Sequence, residues 1–462
     1  MSKALVVDNP YTLEASCSVE LAEGPAVDVV LDRAVAAKAA ARAMAVRDRV
    51  ALVSAATDRM LARMDEIARD ISIMMGKPLP QGRAEVTGMA ERARYMTSIA
   101  EEALSDIVPR TERGFERRIV KAPLGVVLDL PAWNYPLLTA VNVIMPAVLA
   151  GNAVIVKHSS RTPLCGEHFA RAFEEAGAPG YLVQALHCDH ATAERTIADR
   201  RIDHVVFTGS VRGGHSIVEA AKQRFLHIGL ELGGNDPAYV APDCDFEKTV
   251  DNIVDGAIYN AGQSCCAVER VYVHRSIYPR FVEACEALIR RYVLGDPLQE
   301  ATTLGPIAQP QHPRELETLV QDASRHGART IAGGQCTSAG GRGRFFEATL
   351  VAEVDQASQL MQMESFGPIL PVAPVDSDQE ALRRMNDSAF GLTASVWTGD
   401  RERADRMARE LEYGTVYMNR CDHVDPSLPW SGWKDSGRGH SLSRLGFDQL
   451  TRPKSLHYRL AP

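Results

Sequence analysis

Apolar positions recur at helical spacing through the first hundred residues of the chain. The stretch Asp32–Met75 is rich in alanine and has apolar residues three and four positions apart, which predicts helix up to a stop at Gly76. A second stretch with this pattern runs over about Ala84–Leu104. The alternating residues 117–120 are instead typical of a strand, so the character of the chain changes there.

Short apolar runs alternate with helical segments from Gly125 onward. Strands are predicted at 125–130, 153–156, 182–185 and 204–207, and helices at 137–149, 165–176, 193–199 and from Gly213. This alternation predicts βαβ units and a parallel sheet. Ligands bind such sheets at the carboxyl ends of the strands, so the motifs that follow the strands are candidate binding residues.

A second α/β segment is predicted over about Gly233–Asn419. Its expected elements are strands at 237–240 and 270–273, a helix before Asn260, a long helix at 278–293 and a surface loop at Gly333–Gly343. The tail, residues 450–460, again has β character. The chain shows no repeat and no low-complexity linker, so its domains are expected to be interleaved.

The bulk composition narrows the classes of function. A chain of 462 residues exceeds what one core usually serves and predicts two or three domains. The net charge of −8 argues against general binding to nucleic acid or to an anionic membrane. No apolar stretch reaches the ~18 residues of a membrane span, and the N-terminus does not read as a secretory signal. Nine cysteines without zinc-like spacing favour free thiols in a reducing cytoplasm and no metal site.

Two adjacent cysteines, Cys265 and Cys266, stand in the segment GQSCCAVER, residues 262–270. A cysteine that follows Gly-Gln and precedes a small residue is compatible with a nucleophile on a tight turn. A free cysteine is more often a small buried core residue, and the motif in isolation favours that interpretation.

Two further motifs hold polar side chains in apolar or rigid surroundings. In LELGG, residues 230–234, Glu231 lies between apolar residues, where burial would suit it to act as a general base. In PAWNYP, residues 131–136, two prolines stiffen a loop whose Asn134 amide can donate to an oxyanion. Taken singly, each motif is also compatible with a plainer role, an exposed glutamate at a strand edge or an asparagine that stabilises its own turn.

The segment FTGSVRGG, residues 207–214, follows the strand at 204–207 and opens a predicted helix. Backbone N–H groups at such a helix start can hold a phosphate group. The spacing differs from the common dinucleotide-binding pattern G-x-G-x-x-G, so the segment alone is a moderate indication of a nucleotide site.

Together these motifs resemble the aldehyde dehydrogenase superfamily, from about residue 30 to the end of the chain. The motifs that occur in the family's order are PAWNYP, KHSS from Lys157, FTGS, LELGG, GQSCCA, ESFGP at 364–368 and SGWKDSGRG at 431–439. The spacings between Asn134 and Lys157 and between Glu231 and Cys265 also agree with the family pattern. Coincidence is an implausible explanation for so many matches.

The resemblance implies an α/β fold with a Rossmann-type cofactor domain, a second α/β catalytic domain and a small β oligomerisation extension. The cofactor domain is expected at 1–105 and 124–232 with a return segment at about 431–452, the catalytic domain at 233–430, and the extension at 106–123 and 453–462. The extension is expected to join subunits into a homodimer or homotetramer.

The resemblance also implies the chemistry, with NAD or NADP as the hydride acceptor and a small-molecule aldehyde as the substrate. Cys265 would attack the aldehyde, the Asn134 amide and the Cys265 backbone N–H would hold the oxyanion, and Glu231 would help water release the acid. Many members carry a lysine, linked to a proton path, nine residues after the oxyanion asparagine. This chain has Val143 there, so the role of that lysine is absent or filled by water.

The cofactor residues follow from the same resemblance. Lys157 is expected at the adenosine ribose, and Glu364 at the nicotinamide ribose with Phe366 beside the ring. The other expected cofactor-binding residues are Trp133, Ser160, Gly209, Ser210 and Gly214. NAD-preferring members often carry a glutamate at the Ser160 position, where its charge repels a 2′-phosphate. Its replacement here, with Arg161 next to it, predicts that NADP is tolerated.

The aldehyde pocket is expected to be lined by Tyr135, Thr139, Asn142, Tyr259, Ser264, Cys266, Asp422 and His423. The tyrosines suit an apolar or aromatic tail, while the asparagine and histidine admit a polar one. No cluster of cations stands at these positions, which disfavours aldehydes that carry a carboxylate.

Two other functions are compatible with such a chain. A CoA-acylating aldehyde dehydrogenase would pass the acyl group to CoA, but members of that branch generally lack the glutamate that matches Glu231. A non-catalytic, crystallin-like relative would keep the fold alone, and the joint presence of Asn134, Glu231 and Cys265 argues against it.

Overall fold

The structure is a computed structural model that describes residues 3–110 and 112–460. The N-terminal region is mostly helical, as the spacing of its apolar residues predicts. Its elements are β1 (Ala4–Asp8), β2 (Ala15–Glu20), α1 (Pro25–Ala43), α2 (Val46–Ala62), α3 (Met64–Met75) and α4 (Leu79–Ala103). The predicted stop at Gly76 is confirmed: this residue has φ 88°, and an added Cβ would lie 2.7 Å from the carbonyl oxygen of Pro306.

Strands and helices then alternate up to Glu231. The elements are β3 (Phe115–Pro123), β4 (Val126–Leu130), α5 (Pro136–Leu149), β5 (Ala153–Val156), α6 (Leu164–Glu175), β6 (Val183–Ala185), α7 (His190–Ala198), β7 (His204–Thr208), α8 (Val211–Ala220) and β8 (His227–Glu231). Five of these strands form a parallel array in the order β8-β7-β4-β5-β6. The predicted parallel sheet is therefore confirmed.

Helices cover both faces of this sheet because its strands alternate apolar side chains between two cores. Val126 and Leu128 pack in a core with residues of α1 and α8, while Val127 and Val154 pack in another with residues of α2, α4, α5 and α6. A sheet buried on both faces is typical of parallel α/β folds.

The second α/β segment forms a sheet of its own. Its elements are β9 (Asp236–Val240), α9 (Phe246–Ile258), a 3-10 turn (Tyr259–Gly262), β10 (Val268–His274), α10 (Tyr278–Ile289), α11 (His312–Arg325), β11 (Arg329–Ala332), β12 (Cys336–Ala339), β13 (Arg342–Phe346), β14 (Thr349–Ala352), α12 (Gln359–Gln362), β15 (Ile369–Val375), α13 (Asp378–Asn386), β16 (Phe390–Gly391), β17 (Thr393–Trp397), α14 (Arg401–Glu410) and β18 (Thr415–Met418). Seven strands pair in the order β11-β14-β15-β10-β9-β17-β18, all parallel except the edge pair β11-β14.

Two predictions for this segment need correction. The glycine-rich stretch Gly333–Gly343 is not wholly a loop, because β12 and β13 form an antiparallel hairpin around Gly340 and Gly341, both at positive φ. The helix α10 ends at Ile289 rather than Val293, because the N–H groups of Arg291 and Tyr292 donate to carbonyls only three residues back and the N–H of Val293 donates to Thr303 Oγ1.

The C-terminal part of the chain returns to the first sheet. Its elements are β19 (Trp433–Lys434), β20 (Gly437–Arg438), α15 (Ser443–Gln449) and β21 (Thr451–Arg459). β20 pairs antiparallel with β8, so the six-stranded sheet has a strand from the chain end at its edge. β21 pairs antiparallel with β3 along nine residues, and these two strands form a separate two-stranded sheet.

Candidate active site

Three strands of the six-stranded sheet end where the sequence motifs lie. β4 runs into the loop that carries Asn134, β7 ends at Thr208 before α8, and β8 ends at Glu231. Cys265 comes from the second segment, between the 3-10 turn and β10. The predicted catalytic residues therefore converge from two different sheets.

Two cavities meet at these residues. The larger, of about 490 Å³, is bordered by α4, α5 and the loop 422–426, and the smaller, of about 350 Å³, by the ends of β4 and β7 and by α7 and α8. The residues that line both cavities are Asn134, Thr208, Glu231, Leu232 and Cys265. All three predicted catalytic residues thus lie at the junction, where a group bound in either cavity would reach them.

The turn before Cys265 has an unusual backbone conformation. Asn260 and Ala261 both have φ 55°, a left-handed conformation that is costly for residues with a Cβ. Gly262 follows with φ 66°, and an added Cβ there would lie 2.0 Å from the carbonyl oxygen of Gly367. Only glycine fits this close approach, which explains the glycine at the start of the GQSCC motif.

Side-chain amides join this turn to the Asn134 loop. Asn260 Nδ2 donates to the carbonyl oxygens of Asn134 at 3.1 Å and Gln263 at 3.0 Å. Asn134 Nδ2 donates to the carbonyl oxygen of Gln263 at 3.1 Å. An amide nitrogen has two hydrogens, so one donor of Asn134 remains for a ligand beside Cys265.

Glu231 is a buried carboxylate that borders both cavities. Burial raises its pKa above the usual value, while hydrogen bonding from Ser441 and the nearby positive charge of Arg92 act in the opposite direction. Ser441 Oγ donates to Glu231 Oε1 at 2.5 Å. A carboxylate with a raised pKa beside a cavity has the properties of a general base.

Cys266 differs from its neighbour in its contacts. Its Sγ donates to Asp422 Oδ1 at 3.0 Å, and Ser264 Oγ donates to the same oxygen at 3.3 Å. The hydrogen bond with Cys265, burial and the charge of Asp422 together raise the pKa of the Cys266 thiol well above its usual value. Burial also raises the pKa of Asp422, to about 7. Cys266 is thus held as a thiol beside the half-buried Cys265.

The larger cavity contains all the residues that the sequence assigns to the aldehyde pocket. These residues are Tyr135, Thr139, Asn142, Tyr259, Ser264, Cys266, Asp422 and His423. Their role in substrate binding remains a prediction, but the structure brings all eight to one cavity around Cys265.

Arg92 is a lining residue that the sequence analysis missed. Its Nη1 donates to the carbonyl oxygen of Leu138 at 3.0 Å and to Asn142 Oδ1 at 3.1 Å, which holds the guanidinium at the larger cavity. It lies on α4, where nothing in the sequence pattern distinguishes it from other arginines of an amphipathic helix. The carboxylates of Glu91, Asp255 and Asp425 also line this cavity, and Arg92 is the only arginine or lysine among the described residues that line it.

The smaller cavity contains seven of the eight predicted cofactor residues. They are Trp133, Lys157, Ser160, Gly209, Ser210, Glu364 and Phe366. Gly214 is the exception, because it lies one turn into α8 and packs against Leu232, which an added Cβ would approach to 2.9 Å. His190, Ala193 and Ile217, on α7 and α8, line the same cavity and carry no motif that would have identified them.

The donors of this cavity suit a dinucleotide. Ser210 caps α8, its Oγ accepting from the N–H of Gly213 at 3.1 Å, so the positive end of the helix faces the cavity at Gly209 and Ser210. Lys157 also lines this cavity and is buried, and burial lowers the pKa of its ammonium group. A helix N-terminus and a lysine are both suited to a ligand with phosphates and ribose hydroxyls.

Arg161 is not among the residues that line the smaller cavity. Its guanidinium is mostly buried and forms an ion pair with Asp8, which pairs in turn with Arg344. Ser160, directly before it, does line the cavity. This end of the cavity therefore differs from the pattern expected for NAD preference because residue 160 is not a glutamate, and not because Arg161 is free to bind a phosphate.

A second glutamate, Glu269, holds the loop that carries Glu364 and Phe366 through hydrogen bonds to the loop backbone. Buried Glu269 accepts hydrogen bonds from the backbone N–H groups of Ser365 and Phe366, each at 2.8 Å. Glu364 Oε1 accepts from the N–H of Gly234 at 3.0 Å, and burial with the nearby Glu269 charge raises the Glu364 pKa well above its usual value. The Phe366 ring lies edge-on to Trp133 with centroids 5.5 Å apart.

Residues 3–110 and 112–460 show neither a metal site nor a membrane-spanning helix. Within these ranges no three histidine, cysteine or acidic side chains are grouped so that they could hold a metal ion. In the same ranges, no helix has the length and apolar character that crossing a bilayer requires.

Comparison with known proteins agrees with this geometry. The model of the aldehyde dehydrogenase family matches residues 1–456. An aldehyde dehydrogenase of Paenarthrobacter nicotinovorans is 37% identical, with 87% of this chain and 88% of the relative covered. The succinate-semialdehyde dehydrogenase [NADP(+)] of Deinococcus radiodurans is 34% identical over 96% of this chain and 93% of its own.

Solved structures give the same result for the fold. The crystal structure of lactaldehyde dehydrogenase from Escherichia coli superposes with a TM-score of 0.95 at 28% identity, covering 99% of this chain and 96% of the other. The predicted fold class is thereby confirmed. The chain belongs to the aldehyde dehydrogenase family, whose members are oxidoreductases that act on aldehydes with NAD(P).

Proposed function

We propose that the chain oxidises an aldehyde to the carboxylic acid through a thiohemiacetal and a thioester on Cys265, with Glu231 as the general base of hydrolysis. The observation that carries the proposal is that Asn134, Glu231 and Cys265 line both cavities. An aldehyde in the larger cavity and a hydride acceptor in the smaller one would meet at these three residues.

The chain's own residues account for each step. Cys265 Sγ adds to the carbonyl carbon, and the free Asn134 amide hydrogen stabilises the oxygen that gains charge. The adduct loses a hydride and becomes a thioester. Glu231 then takes a proton from water, the resulting hydroxide adds to the thioester carbon, and the carbon–sulfur bond breaks to release the acid and the thiolate.

NAD(P)+ would lie in the smaller cavity, with its phosphates near Gly209 and Ser210 and its riboses near Lys157 and Glu364. When bound, it supplies the hydride acceptor of the reaction. The relative in Deinococcus is named for NADP(+), which supports use of that cofactor here. The uncharged Ser160 at the cavity agrees with this choice.

The test is a set of initial rates with NAD and NADP against aliphatic, aromatic, amino- and carboxy-aldehydes. The matched controls are Cys265→Ala and Cys266→Ala, which remove the same group from adjacent positions. We expect Cys265→Ala to abolish formation of the reduced cofactor and Cys266→Ala to retain most of it. Equal loss in both variants, or turnover in Cys265→Ala, would contradict the assignment of the nucleophile.

The fate of the acyl group distinguishes hydrolysis of the thioester from transfer of the acyl group to CoA. With Glu231 in place, we expect the free acid to form at the same rate with and without CoA. A requirement for CoA would favour an acylating enzyme. Cofactor binding without any thioester on Cys265 would favour a protein that has kept only the fold.

We also infer that the extension formed by β3 and β21 joins subunits. Tyr458 on β21 is 47% exposed, and Leu460, which follows the strand, is 49% exposed, so apolar surface remains uncovered in the single chain. Light scattering should report a dimer or tetramer. Removal of residues 453–462 should yield a monomer, and an unchanged mass would place the interface elsewhere.

A further inference from the structure

The carboxylate of Asp8 pairs with two arginines from distant parts of the chain. Asp8 is the last residue of β1, and its Oδ1 and Oδ2 accept hydrogen bonds from Arg161 and Arg344, respectively. The Arg161 guanidinium also donates to the backbone carbonyl of Asp8. The side chains of Arg161 and Arg344 are 8% and 14% exposed, so both ion pairs are largely shielded from water. The loss of one partner of such a pair is costly, because it leaves a charge buried without a counter-charge.

Asp8 is the counter-charge of both arginines. Within residues 3–110 and 112–460, no other acidic side chain forms an ion pair with Arg161 or Arg344. Burial by itself would raise the pKa of the Asp8 carboxyl group, but the hydrogen bonds and charges of the two arginines lower the pKa below its usual value. Asp8 is therefore ionised at neutral pH and neutralises part of the charge of each guanidinium.

The first of the two connections leads to the smaller cavity. Arg161 belongs to the loop that follows β5, where its N–H donates to Ser159 Oγ at 3.3 Å. In the same turn the N–H of Thr162 donates to the carbonyl oxygen of Ser159 at 3.1 Å. Ser159 and Ser160 line the smaller cavity, whereas the Arg161 side chain points away from it to Asp8. The ion pair therefore anchors the turn that forms one wall of this cavity.

The second connection leads to the junction of the two cavities. Arg344 Nη2 donates to the carbonyl oxygen of Ala308 at 2.9 Å, and the Arg344 carbonyl accepts from the N–H of Ile307 at 2.6 Å. The N–H of Ala308 donates in turn to Gln263 Oε1 at 2.9 Å. Gln263 stands two residues before the candidate nucleophile, and its carbonyl oxygen accepts from Asn134 Nδ2 at 3.1 Å. A continuous series of hydrogen bonds therefore runs from Asp8 to the candidate oxyanion loop.

We propose that Asp8 is a positioning residue for both cavities at once. Through Arg161 it holds the wall of the smaller cavity at Ser160, and through Arg344 it holds the turn that carries the nucleophile. Asp8 lines neither cavity, so it acts only through its two arginines. A displacement of about 1 Å at the reacting groups can cost about a hundredfold in rate, so a distant support of this kind matters for turnover. The inference rests on the proposed function, which assigns the cofactor to the smaller cavity and the nucleophile to Cys265.

Two measurements on the full-length protein test the two connections separately. Quenching of tryptophan fluorescence by NAD and by NADP gives the Kd of each cofactor without an aldehyde, since Trp133 lines the smaller cavity. The burst of nitrophenolate from 4-nitrophenyl acetate gives the rate of acylation without a cofactor. In that step the bond from Cys265 Sγ to the acyl carbon forms, the ester C–O bond breaks and nitrophenolate leaves.

Three variants interrupt the network at different points. We expect Arg161→Gln to raise the Kd of NAD and NADP alike by about tenfold while changing the burst rate by less than about threefold. Arg344→Gln should do the reverse, with a burst rate that is lower by about tenfold and nearly unchanged cofactor binding. Asp8→Asn keeps the shape of the side chain and removes its charge, so both the Kd and the burst rate should change.

The double variant Asp8→Asn with Arg161→Gln tests whether the two residues act through one connection. It should bind the cofactor no more weakly than Arg161→Gln alone, because residues that act as a unit have non-additive effects. The matched control is Asp243→Asn. Asp243 also pairs with an arginine, Arg403, but lines neither cavity and has no hydrogen bond to the network of Asp8. Both measurements should be unchanged in that control.

The outcomes distinguish positioning from a general loss of structure. A Kd and a burst rate in Asp8→Asn that are both within about twofold of wild type would overturn the inference. Equal changes in both measurements for Arg161→Gln and Arg344→Gln, or any such change in Asp243→Asn, would also overturn it. Weaker binding of NADP alone in Arg161→Gln would indicate a direct contact with the 2′-phosphate instead of a positioning role.

Two further results keep the inference separate from the proposed function. If Asp8→Asn does not fold, the contrast between the Kd and the burst rate in the two arginine variants decides the question. A wild-type protein without a burst that depends on Cys265 would overturn the proposed function, whereas the effect of Arg161→Gln on cofactor binding would still test the first connection.

Discussion

The thiol of Cys266, the residue directly after the candidate nucleophile Cys265, donates a hydrogen bond to Asp422 Oδ1 at 3.0 Å. The negative charge of Asp422 contributes to the raised pKa of Cys266, after the hydrogen bond with Cys265 and burial. The contact therefore makes the two adjacent cysteines differ, because it helps to hold Cys266 as a thiol. We predict that Asp422→Asn lowers the Cys266 pKa and increases its alkylation by iodoacetamide at pH 8, as measured by fragment mass spectrometry.

The control for this prediction is Asp425→Asn. Asp425 also lines the larger cavity but has no hydrogen bond with either cysteine. Alkylation at Cys266 should be unchanged in that variant. Equal labelling of Cys266 in wild type and Asp422→Asn would show that the aspartate does not govern its reactivity.

The hydrogen bond from Ser441 also predicts a pH effect. Glu231 must be a carboxylate to act as a base, and its pKa is raised by burial and lowered by Ser441, Arg92 and Thr208. Loss of the Ser441 donor therefore raises the pKa of Glu231 further. The steady rate of 4-nitrophenyl acetate hydrolysis, which needs no cofactor, measures hydrolysis of the acetyl group from Cys265. We expect the acid limb of its pH profile to move to higher pH in Ser441→Ala and to return toward wild type in Ser441→Thr.

A second buried carboxyl group near Glu231, that of Asp129, determines how this result is interpreted. Burial and the charge of Glu231 raise the pKa of Asp129 well above its usual value, so Asp129 is a second buried carboxyl group whose ionisation could give an acid limb. Asp129→Asn is the variant that separates the two groups. If the acid limb stays in place in Ser441→Ala but moves in Asp129→Asn, the limb reports Asp129 rather than Glu231.

Ser160 gives a prediction about cofactor choice. It lines the smaller cavity near Lys157, and a glutamate there would place a negative charge beside a 2′-phosphate. We expect Ser160→Glu to lower kcat/KM with NADP by about tenfold or more and to change that with NAD little, since like charges repel most strongly where water is excluded. Ser160→Gln controls for size, and an equal loss with both cofactors in Ser160→Glu would indicate a steric effect.

A buried ion pair supports the larger cavity. The side chains of Lys77 and Glu85 are 0% and 1% exposed, and Lys77 Nζ lies 3.8 Å from the centroid of the Tyr135 ring. Lys77→Met would leave Glu85 charged and unpaired, although Glu85 Oε1 still accepts from the N–H of Leu137 at 2.8 Å. We expect the free energy of unfolding to fall by about 3–5 kcal/mol in urea titrations.

The double variant Lys77→Met with Glu85→Gln tests the cause of that loss. Removing both charges should recover part of the stability, because no unpaired charge then remains in the core. If the two single losses simply add in the double variant, the ion pair has no coupling energy and the effect comes from packing.

The fold was predictable to a large extent because the parallel strands are short, apolar and bounded by glycine or proline. The predicted strands at 125–130 and 204–207 agree with β4 and β7 to within one residue at each end. The hairpin of β12 and β13 was missed because the same glycines that form its turn are also typical of irregular loops. Helix α10 was predicted too long, since its apolar periodicity continues past the residue where the hydrogen bonds change.

The candidate site was predictable where a residue lies in a motif. Asn134, Glu231 and Cys265 each follow a recognisable run of glycine, proline or apolar residues, and they meet in the structure. Arg92 and His190 carry no such signal, because their positions depend on how helices and strands pack together. Three-dimensional contact, rather than local spacing, determines which arginine or histidine faces a cavity.

The bond between Ser441 and Glu231 has a consequence for the order in which the protein matures during synthesis. The two residues are 210 positions apart, and β20, which flanks β8, also comes from the end of the chain. A ribosome that has completed residues 1–400 has therefore synthesised the strand with Glu231 but not the segment that hydrogen-bonds to it. The nascent chain would hold Asn134, Glu231 and Cys265 before Ser441 is available to hydrogen-bond to Glu231, so this carboxylate would reach its final environment only after the segment with β20 and Ser441 has been synthesised.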